Sequence, residues 1–385
     1  MSETLNIRPF RVEVPQDDLD DLRERLARTR WADEVEGAGW DYGTSLGYLK
    51  ELTDYWREGF DWRAQEEAIN RFTNFRATIG GFGLHFIHER GEGPNPLPIL
   101  LAHGWPDSFY RFHKLIPLLT DPGSHGGDPA DSFDVVVPSL PGYGFSDRPT
   151  DRGMTGERVT GLFHGLMTEA LGYQRFAAHG GDIGSGLTEM LARKHAASLA
   201  GIHLTDVPYS HMFTMTPDDL SGAEREYLAA GQRWLMQEGA YAMVQSTRPQ
   251  TLAYGLNDSP AGLAAWIVEK FRAWSDCGGD VEERFTKDEL LTNITIYWAT
   301  QTIRSSFLPY YEGQGDPSGG AWPRVEVPTG VAIFPKDIVP APRDYGERIF
   351  DVRRWTEMPR GGHFAAMEEP ELLAEDLRAF FRDLR

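Results

Sequence analysis

A glycine-flanked aspartate in the middle of the chain is the clearest chemical signal. A short apolar run leads into the heptapeptide HGGDIGS, residues 179–185, and a helix-like run follows it. The spacing Gly-x-nucleophile-x-Gly is that of a nucleophile elbow, because small flanking residues tolerate a strained turn between strand and helix. A carboxylate at the apex, here Asp182, can attack carbon and form an ester, as in opening an epoxide or displacing a halide. The plainer interpretation is that Asp182 only caps the following helix.

Hydrolysis of such an ester needs a base that activates water, and histidine is the usual one because its pKa lies near neutrality. In folds with an elbow the chain order is nucleophile, acid, histidine. The last of the eleven histidines, His363, follows two glycines on a predicted loop after the last strand. The acid that orients it should follow the strand predicted at residues 331–334, which favours Asp337. Asp344 is the nearest rival, and Asp351 is a weaker one.

A turn directly after the first core strand could stabilise negative charge. It contains the sequence HGWP at residues 103–106. We expect the backbone N–H groups of Trp105 and Ile183 to form an oxyanion hole that holds one oxygen of Asp182. His103 and Trp105 are predicted to line the substrate pocket, and a structural role in the turn is favoured for the His103 side chain. The Trp105–Pro106 bond is a candidate cis peptide.

Other chemistries find little support in the residues. A Gly-x-Ser-x-Gly match at residues 43–47 has no strand before it, so we interpret it as a helix start capped by Thr44 or Ser45. The chain contains neither His-Glu-x-x-His nor paired cysteines, and neither a phosphate loop nor a dinucleotide-binding glycine motif. We therefore predict no metal site and no cofactor.

The elements that must position these residues follow an alternating rhythm from about residue 97 onward. Short apolar strands, predicted at residues 98–102, 133–137, 175–178, 202–205 and 331–334, alternate with helices. This pattern predicts an α/β fold with a mostly parallel sheet covered by helices on both faces. We predict four segments: an N-terminal helical extension (1–75), the first part of the core (76–205), an inserted helical lid (206–320) and the second part of the core (321–385).

Composition excludes several classes of partner. The net charge of -20, from 38 basic and 58 acidic residues, argues against nucleic acid and against anionic lipid. One cysteine, Cys277, leaves no intrachain disulfide, so a reducing cytoplasm is the expected compartment. The sequence contains neither a secretory signal nor an apolar run long enough to cross a membrane.

Taken together, the motifs resemble the α/β-hydrolase-fold epoxide hydrolases, and specifically their microsomal-type branch. The resemblance spans nearly the whole chain. It rests on FRVEVPQDDLDDLRERLARTR at 10–30, HGWPDS at 103–108, PGYGFS at 141–146, HGGDIGS at 179–185, LNDSPAGLAAWIVEKF at 256–271, IYWATQTIRSS at 296–306 and RGGHFAAMEEP at 360–370.

The resemblance implies a set of catalytic roles. Members of this family use an Asp nucleophile, a His base, an acid and two lid tyrosines. Asp182 and His363 match directly, and Asp337 stands where many relatives have Glu. The context before TRPQT (residues 247–251) points to Tyr241 as the first tyrosine. The context after TIRSS (302–306) points to Tyr310, with Tyr311 as a near rival.

The implied activity is conversion of an epoxide and water to a vicinal diol, without a cofactor. An aromatic lid suggests a bulky apolar substrate, and related soluble members suggest bacterial secondary metabolism, for example an enediyne pathway. One alternative is a haloalkane dehalogenase, for which Trp105 could supply a halide donor. The other is a non-catalytic ligand-binding member, in which a broken triad is expected. The N-terminal anchor of many relatives is not evident, so a soluble cytoplasmic form is expected, and a homodimer is left open.

Overall fold

The computed structural model describes residues 6–213, 219–313 and 323–385. Within these residues, nine strands form one sheet in the order β1-β2-β3-β5-β4-β6-β7-β8-β9. The strands are β1 (Arg8–Pro9), β2 (Asn74–Ile79), β3 (Phe82–Glu89), β4 (Leu97–Ala102), β5 (Phe133–Pro138), β6 (Phe176–Gly180), β7 (Leu199–Leu204), β8 (Val325–Ile333) and β9 (Phe350–Glu357).

The sheet is parallel from β5 to β9, and the pairs β1–β2, β2–β3 and β3–β5 are antiparallel. Every residue of β5, β6 and β7 is buried, which is why these strands read as continuous apolar runs. The predicted mostly parallel sheet is therefore confirmed. Two predicted strand starts are wrong: β7 begins at Leu199 and β8 begins at Val325. The early part of β8 contains Glu326 and Pro328, which interrupt its apolar pattern.

Sixteen α-helices accompany the sheet in the described ranges. They are α1 (Gln16–Ala27), α2 (Leu46–Glu58), α3 (Trp62–Ile69), α4 (Leu115–Thr120), α5 (Gly156–Gly165), α6 (Ile183–Lys194), α7 (Gly222–Gln237), α8 (Ala240–Thr247), α9 (Pro249–Asp258), α10 (Pro260–Trp274), α11 (Lys287–Thr300), α12 (Ile303–Ser306), α13 (Leu308–Glu312), α14 (Arg343–Ile349), α15 (Ala365–Glu368) and α16 (Pro370–Phe381).

Two groups of helices cover the sheet: α5 packs on α6, and α4 packs on α16. Helix α6 contacts β4, β6, β7 and β8, so it lies over the centre of the sheet. It begins at Ile183, inside the heptapeptide and earlier than the helix-like run in the sequence. The glycines in its first turn weaken the helical signal there.

Helices α7 to α13 lie between β7 and β8 in the sequence, in the segment predicted as the lid, and we call them the lid helices. Ser221 and Glu224 form a capping box at the start of α7, and Ser259 caps α10 with Pro260 as its first residue. Ser45 occupies the N-cap position of α2, as predicted, but its side chain makes no capping hydrogen bond.

The N-terminal segment packs on the lid rather than standing apart. Helices α1 and α2 contact α10, and α2 and α3 contact α11. The Trp56 indole donates to the Thr295 hydroxyl at 3.0 Å, and the Tyr55 hydroxyl donates to Asp288 at 2.8 Å. The segment also contributes β1 to the sheet, so it is not wholly helical. The boundaries at 75, 205 and 320 stay predictions, and residue 320 lies outside the described residues.

None of the helices in the described ranges combines the length and the apolar character that a transmembrane span requires.

Candidate active site

Asp182 lies at the turn between β6 and α6, which is the strand–turn–helix context predicted from the sequence. Its backbone has φ 58° and ψ -127°, a left-handed conformation that costs a non-glycine residue about 1–3 kcal/mol. The turn is tight enough that a Cβ on Gly180 would lie 2.1 Å from the carbonyl oxygen of Gly184. The local sequence therefore presents the carboxylate at the carboxyl end of the central strands, where ligands bind in such sheets.

One oxygen of this carboxylate is held by the turn after β4. The backbone N–H of Trp105 donates to Asp182 Oδ1 at 2.8 Å, as predicted. A Cβ on Gly104 would lie 2.2 Å from the same oxygen, so only glycine permits this approach. In the described part of the chain, the N–H of Ile183 makes no hydrogen bond with this carboxylate. The Trp105–Pro106 peptide bond is cis, as predicted.

Helix α11 of the lid fixes this turn through three hydrogen bonds. The Asn293 amide donates to the carbonyl of Pro106 at 2.8 Å, and the Ser108 hydroxyl donates to Asn293 Oδ1 at 2.9 Å. The Tyr297 hydroxyl donates to the carbonyl of Asp107 at 2.6 Å. The geometry of the Trp105 N–H therefore depends on a helix almost 190 residues away in the sequence.

A buried ion pair between Asp107 and Arg111 also supports this turn. Asp107 Oδ1 accepts the N–H of Gly104 at 2.9 Å, and its other oxygen pairs with Arg111. Burial raises the pKa of Asp107, but the charge of Arg111 and the hydrogen bonds of His103 and Arg111 together outweigh it and hold that pKa below its usual value. Arg111 also donates to the carbonyl oxygen of His363 at 2.6 Å. This pair therefore connects the turn after β4 to the loop of the predicted base.

His103 supports the turn rather than the substrate pocket predicted for it. Its Nε2 accepts the N–H of Leu140 at 3.1 Å, which leaves the proton on Nδ1 to donate to the Gly104 carbonyl at 3.0 Å. The ring is fully buried and packs edge-on against Tyr143. Since both ring nitrogens are already used, the pocket prediction for His103 is wrong and its structural role is the better account.

His363 lies between two carboxylates. Its Nδ1 is 2.7 Å from Asp337 Oδ1, and its Nε2 is 3.6 Å from Asp182 Oδ2. The rivals for the acid lie elsewhere: Asp344 is exposed on α14, and Asp351 pairs with arginines on the protein surface. The three side chains predicted from motif order are thus brought together in the order acid, base, nucleophile.

The charges around the imidazole determine its protonation. Burial lowers the pKa of His363, but Asp337 and then Asp182 outweigh it and raise that pKa to about 10. Burial raises the pKa of Asp337, but the charge of His363 and the hydrogen bonds from His363, Ile338 and Tyr209 together outweigh it and lower that pKa below its usual value. At neutral pH the resting site therefore contains an imidazolium between two carboxylates.

Glu368 holds the loop that carries His363. Its carboxylate accepts the backbone N–H groups of Gly362 at 3.0 Å, Phe364 at 2.9 Å and Asp276 at 2.8 Å. The first two flank His363 on either side, so this one side chain fixes the position of the imidazole. Burial raises the pKa of Glu368 to about 7 despite the three donors.

The two lid tyrosines pack against Trp105, the residue whose N–H holds the nucleophile. The Tyr241 ring stacks on Trp105 with centroids 5.1 Å apart, and Tyr310 meets Trp105 edge-on at 6.1 Å. A hydrogen bond joins the two phenols. Burial, and then the charge of Asp182, raises the pKa of Tyr241, so its phenol stays protonated. The rival Tyr311 is 50% exposed and points away from this group, which favours Tyr310.

Aromatic rings surround the space between the lid and the elbow. Trp274 lies against Trp105, Tyr241 and the His363 ring, and Phe307 also contacts Trp105. The described residues contain no group of three or more His, Cys, Asp or Glu side chains arranged for a metal ion.

Four groups at this site escaped sequence reasoning: Asp107 with Arg111, Asn293 with Tyr297, Glu368, and Asp206. Asn293 and Tyr297 act across distant segments, and Arg111 and Glu368 combine local contacts with distant ones, so spacing in the sequence does not show these roles. Asp206 offered a signal, since it stands just past the end of a predicted strand.

Comparison with known proteins identifies the family. Residues 7–112 match the family described as Epoxide hydrolase N terminus, and residues 98–253 match the α/β-hydrolase fold. A protein of Stigmatella aurantiaca, named as a candidate epoxide hydrolase, is 46% identical over 98% of this chain and 86% of its own length. Epoxide hydrolase 1 of Sus scrofa is 39% identical over 98% of this chain and 89% of its own length.

The chain belongs to the epoxide hydrolase family. The solved structure of Aspergillus niger epoxide hydrolase superposes with a TM-score of 0.85 at 30% identity, covering 100% of this chain and 98% of that one. The fold and the activity implied by the sequence motifs are therefore confirmed: this α/β-hydrolase-fold enzyme hydrolyses epoxides.

Proposed function

We propose that the enzyme opens epoxides in two steps through an alkyl ester on Asp182. One observation carries this proposal: the nucleophile has one oxygen held by the Trp105 N–H at 2.8 Å and the other 3.6 Å from His363. In the first step, an oxygen of Asp182 bonds to a ring carbon while the carbon–oxygen bond of the epoxide breaks. The electron pair of that bond passes to the epoxide oxygen, which becomes an alkoxide.

Tyr241 and Tyr310 receive this alkoxide. Two phenols that stay protonated can donate hydrogen bonds to the oxygen as its charge develops, and one can transfer its proton. Both rings contact Trp105, whose N–H holds the nucleophile, and the charge of Asp182 acts on both phenols, which supports this role. This arrangement favours an epoxide over a haloalkane, because a halide leaves as an anion and needs no proton.

The second step returns the enzyme to its resting state. Once Asp182 is esterified it has no charge, so only Asp337 continues to favour the imidazolium, and the pKa of His363 falls from its resting value of about 10. The imidazolium can then give its proton to the phenolate that the first step leaves, and neutral His363 accepts a proton from water, whose oxygen adds to the ester carbonyl. We infer that the N–H groups of Trp105 and Ile183 stabilise the resulting oxyanion. Loss of the alkoxide or alcohol group releases the diol.

We further propose that the substrate is a bulky apolar epoxide, since aromatic rings enclose the reacting centre. A link to secondary metabolism stays a prediction. The non-catalytic alternative loses support because a ligand-binding protein would have no need for a strained, charged and largely buried triad.

Removing the base should trap the intermediate. We expect His363→Gln to form the ester on Asp182 but to hydrolyse it about 10² to 10⁴-fold more slowly. After incubation with styrene oxide, intact-protein mass spectrometry should show one added substrate mass, and peptide mapping should place it on Asp182.

Two matched variants complete the experiment. Asp182→Asn should give neither adduct nor turnover, and His113→Gln, at a histidine remote from the triad, should turn over normally without accumulating adduct. Normal turnover by Asp182→Asn, or an adduct mapped to another residue, would exclude the proposed mechanism.

A further inference from the structure

A third carboxylate lies beside the triad and has no part in the proposed mechanism. The adjacent parallel strands β6, β7 and β8 are followed by Asp182, Asp206 and Asp337 respectively. Since the carboxyl ends of parallel strands meet at one edge of the sheet, all three side chains point to the same region. Asp206 is 3% exposed, so its charge would be poorly solvated.

Asp206 is bonded to the elbow itself. Its Oδ2 accepts the backbone N–H of Asp182 at 2.8 Å. Its Oδ1 lies 2.5 Å from the hydroxyl of Ser185, and that same hydroxyl lies 2.7 Å from the carbonyl oxygen of Asp182. Asp206 and Ser185 therefore close a ring of contacts around the strained backbone of the nucleophile.

The number of hydrogens available shows which protonation state of Asp206 this ring of contacts requires. Three oxygens are joined by two short contacts: Asp206 Oδ1 to Ser185 Oγ, and Ser185 Oγ to the Asp182 carbonyl. The carbonyl has no hydrogen and the serine has one, so a charged Asp206 would leave one contact without a hydrogen bond. A proton on Oδ1 completes both, since the acid donates to Ser185 and Ser185 donates to the carbonyl.

We propose that Asp206 is a neutral carboxylic acid in the resting enzyme and that its proton lets it act as a positioning residue for the nucleophile elbow. As a neutral group it accepts the Asp182 N–H and fixes Ser185 without adding a third negative charge to the triad. The effect on turnover rests on the mechanism proposed above, whereas the protonation state does not.

The surroundings of Asp206 favour the neutral form. Burial, and then the charge of Asp337, raises the pKa of Asp206 to about 7, although hydrogen bonds from Ser185 and Asp182 and the charge of His363 oppose this. The titratable groups whose charges act together with that of Asp206 are Asp337, His363, Tyr209 and Tyr227, and Asp206 also accepts the backbone N–H of Asp182.

Ionisation of Asp206 should slow turnover. It breaks one of the two contacts around Ser185, so the backbone that presents the Asp182 carboxylate is held less firmly. This effect grows as pH rises through about 7.

Asp206→Asn tests the proposal because its amide reproduces the neutral acid. The amide oxygen can accept the Asp182 N–H, and the amide nitrogen can donate to Ser185. Near neutral pH we expect the kcat of Asp206→Asn to lie within about tenfold of the wild-type value. We expect the kcat of Asp206→Ala to lie about 10- to 100-fold below the wild-type value, because alanine leaves a buried N–H without an acceptor. The ratio of kcat in Asp206→Asn to kcat in wild type should rise with pH through about 7.

Infrared difference spectroscopy reads the proton directly, in the full-length resting enzyme and without turnover. Spectra of wild type minus Asp206→Asn at about pH 6, below the pKa of about 7, should show the carbonyl stretch of a protonated carboxylic acid that shifts in heavy water. An ionised carboxylate signal at this pH would overturn the proposal. So would an Asp206→Asn enzyme as impaired as Asp206→Ala, or a kcat ratio that stays constant with pH. Failure of the adduct experiment would instead overturn the mechanism while leaving the infrared result valid.

Discussion

Replacing Asp337 by asparagine should separate the two steps of the reaction. Three donors converge on a single oxygen of Asp337: His363 Nδ1 at 2.7 Å, the Ile338 N–H at 2.6 Å and the Tyr209 hydroxyl at 3.1 Å. An asparagine oxygen can accept all three, so the variant keeps the position and tautomer of the imidazole. What it removes is the negative charge.

The size of the effect follows from Coulomb's law applied to the charges of Asp337 and His363. Two unit charges about 4 Å apart at an effective dielectric constant of about 20 attract each other by about 4 kcal/mol. At about 1.4 kcal/mol per pKa unit, the pKa of His363 should fall by about 3 units from its resting value of about 10. The transition state of ester hydrolysis, in which His363 gains a proton, loses the same stabilisation, so this step should slow about 10² to 10³-fold. Alkylation should change by less than about tenfold, because Asp182 keeps its Trp105 contact.

Rapid-quench mass spectrometry measures both steps. Asp337→Asn should show a burst of adduct close to one per enzyme, followed by slow turnover. NMR of the His363 imidazole should show the direction of the pKa shift. In wild type the imidazolium should lose its proton as pH rises through about 10, and in the variant it should do so about 3 pH units lower. Asp344→Asn, at the exposed rival, should resemble wild type in both measurements. Unchanged turnover in Asp337→Asn, or an unshifted imidazole titration, would refute this account of the acid.

Two further predictions concern the lid and the histidine loop. Tyr241→Phe and Tyr310→Phe should each slow alkylation about 10²-fold in single-turnover assays, whereas Tyr311→Phe, at the half-exposed neighbour, should not; an equal effect at all three would contradict the assignment. Glu368→Gln should lower the free energy of unfolding by about 1–3 kcal/mol in urea titrations and also lower kcat, because it disturbs the N–H groups beside His363. Glu375→Gln on the exposed face of α16 is the control, and equal stability of the two variants would show that the Glu368 contacts contribute little.

The order and chemistry of the triad could be predicted because each member follows a strand in a parallel sheet. Parallel strands deliver their carboxyl ends to one edge, so a residue just past a strand end is already placed to within a few ångströms. That logic found Asp182 and His363, and it preferred Asp337 over Asp344. Asp206 also stands just past a strand end, but no sequence motif marks it. Its importance depends on hydrogen bonds that the spacing of residues cannot show.

The remaining features depended on packing between distant segments. Tyr310 and Tyr311 are adjacent in sequence, and only the orientation of the short helix α13 distinguishes the partner of Trp105 from the exposed ring. His103 looked like a pocket residue from its place beside the nucleophile, yet the N–H of Leu140 occupies its outer nitrogen. In both cases the residue type permits either role, and the tertiary neighbours decide.

The N-terminal extension takes part in the site through the lid. Helices α2 and α3 pack on α11, and the Trp56 indole bonds to Thr295 on that helix. On the same helix, Asn293 and Tyr297 hold the turn whose N–H binds the nucleophile. Because these three α11 residues lie within two helical turns, a shift of the helix relative to the extension would move both contacts together. The extension therefore helps to hold the turn whose N–H binds Asp182, which gives a physical reason for its place in this family of enzymes.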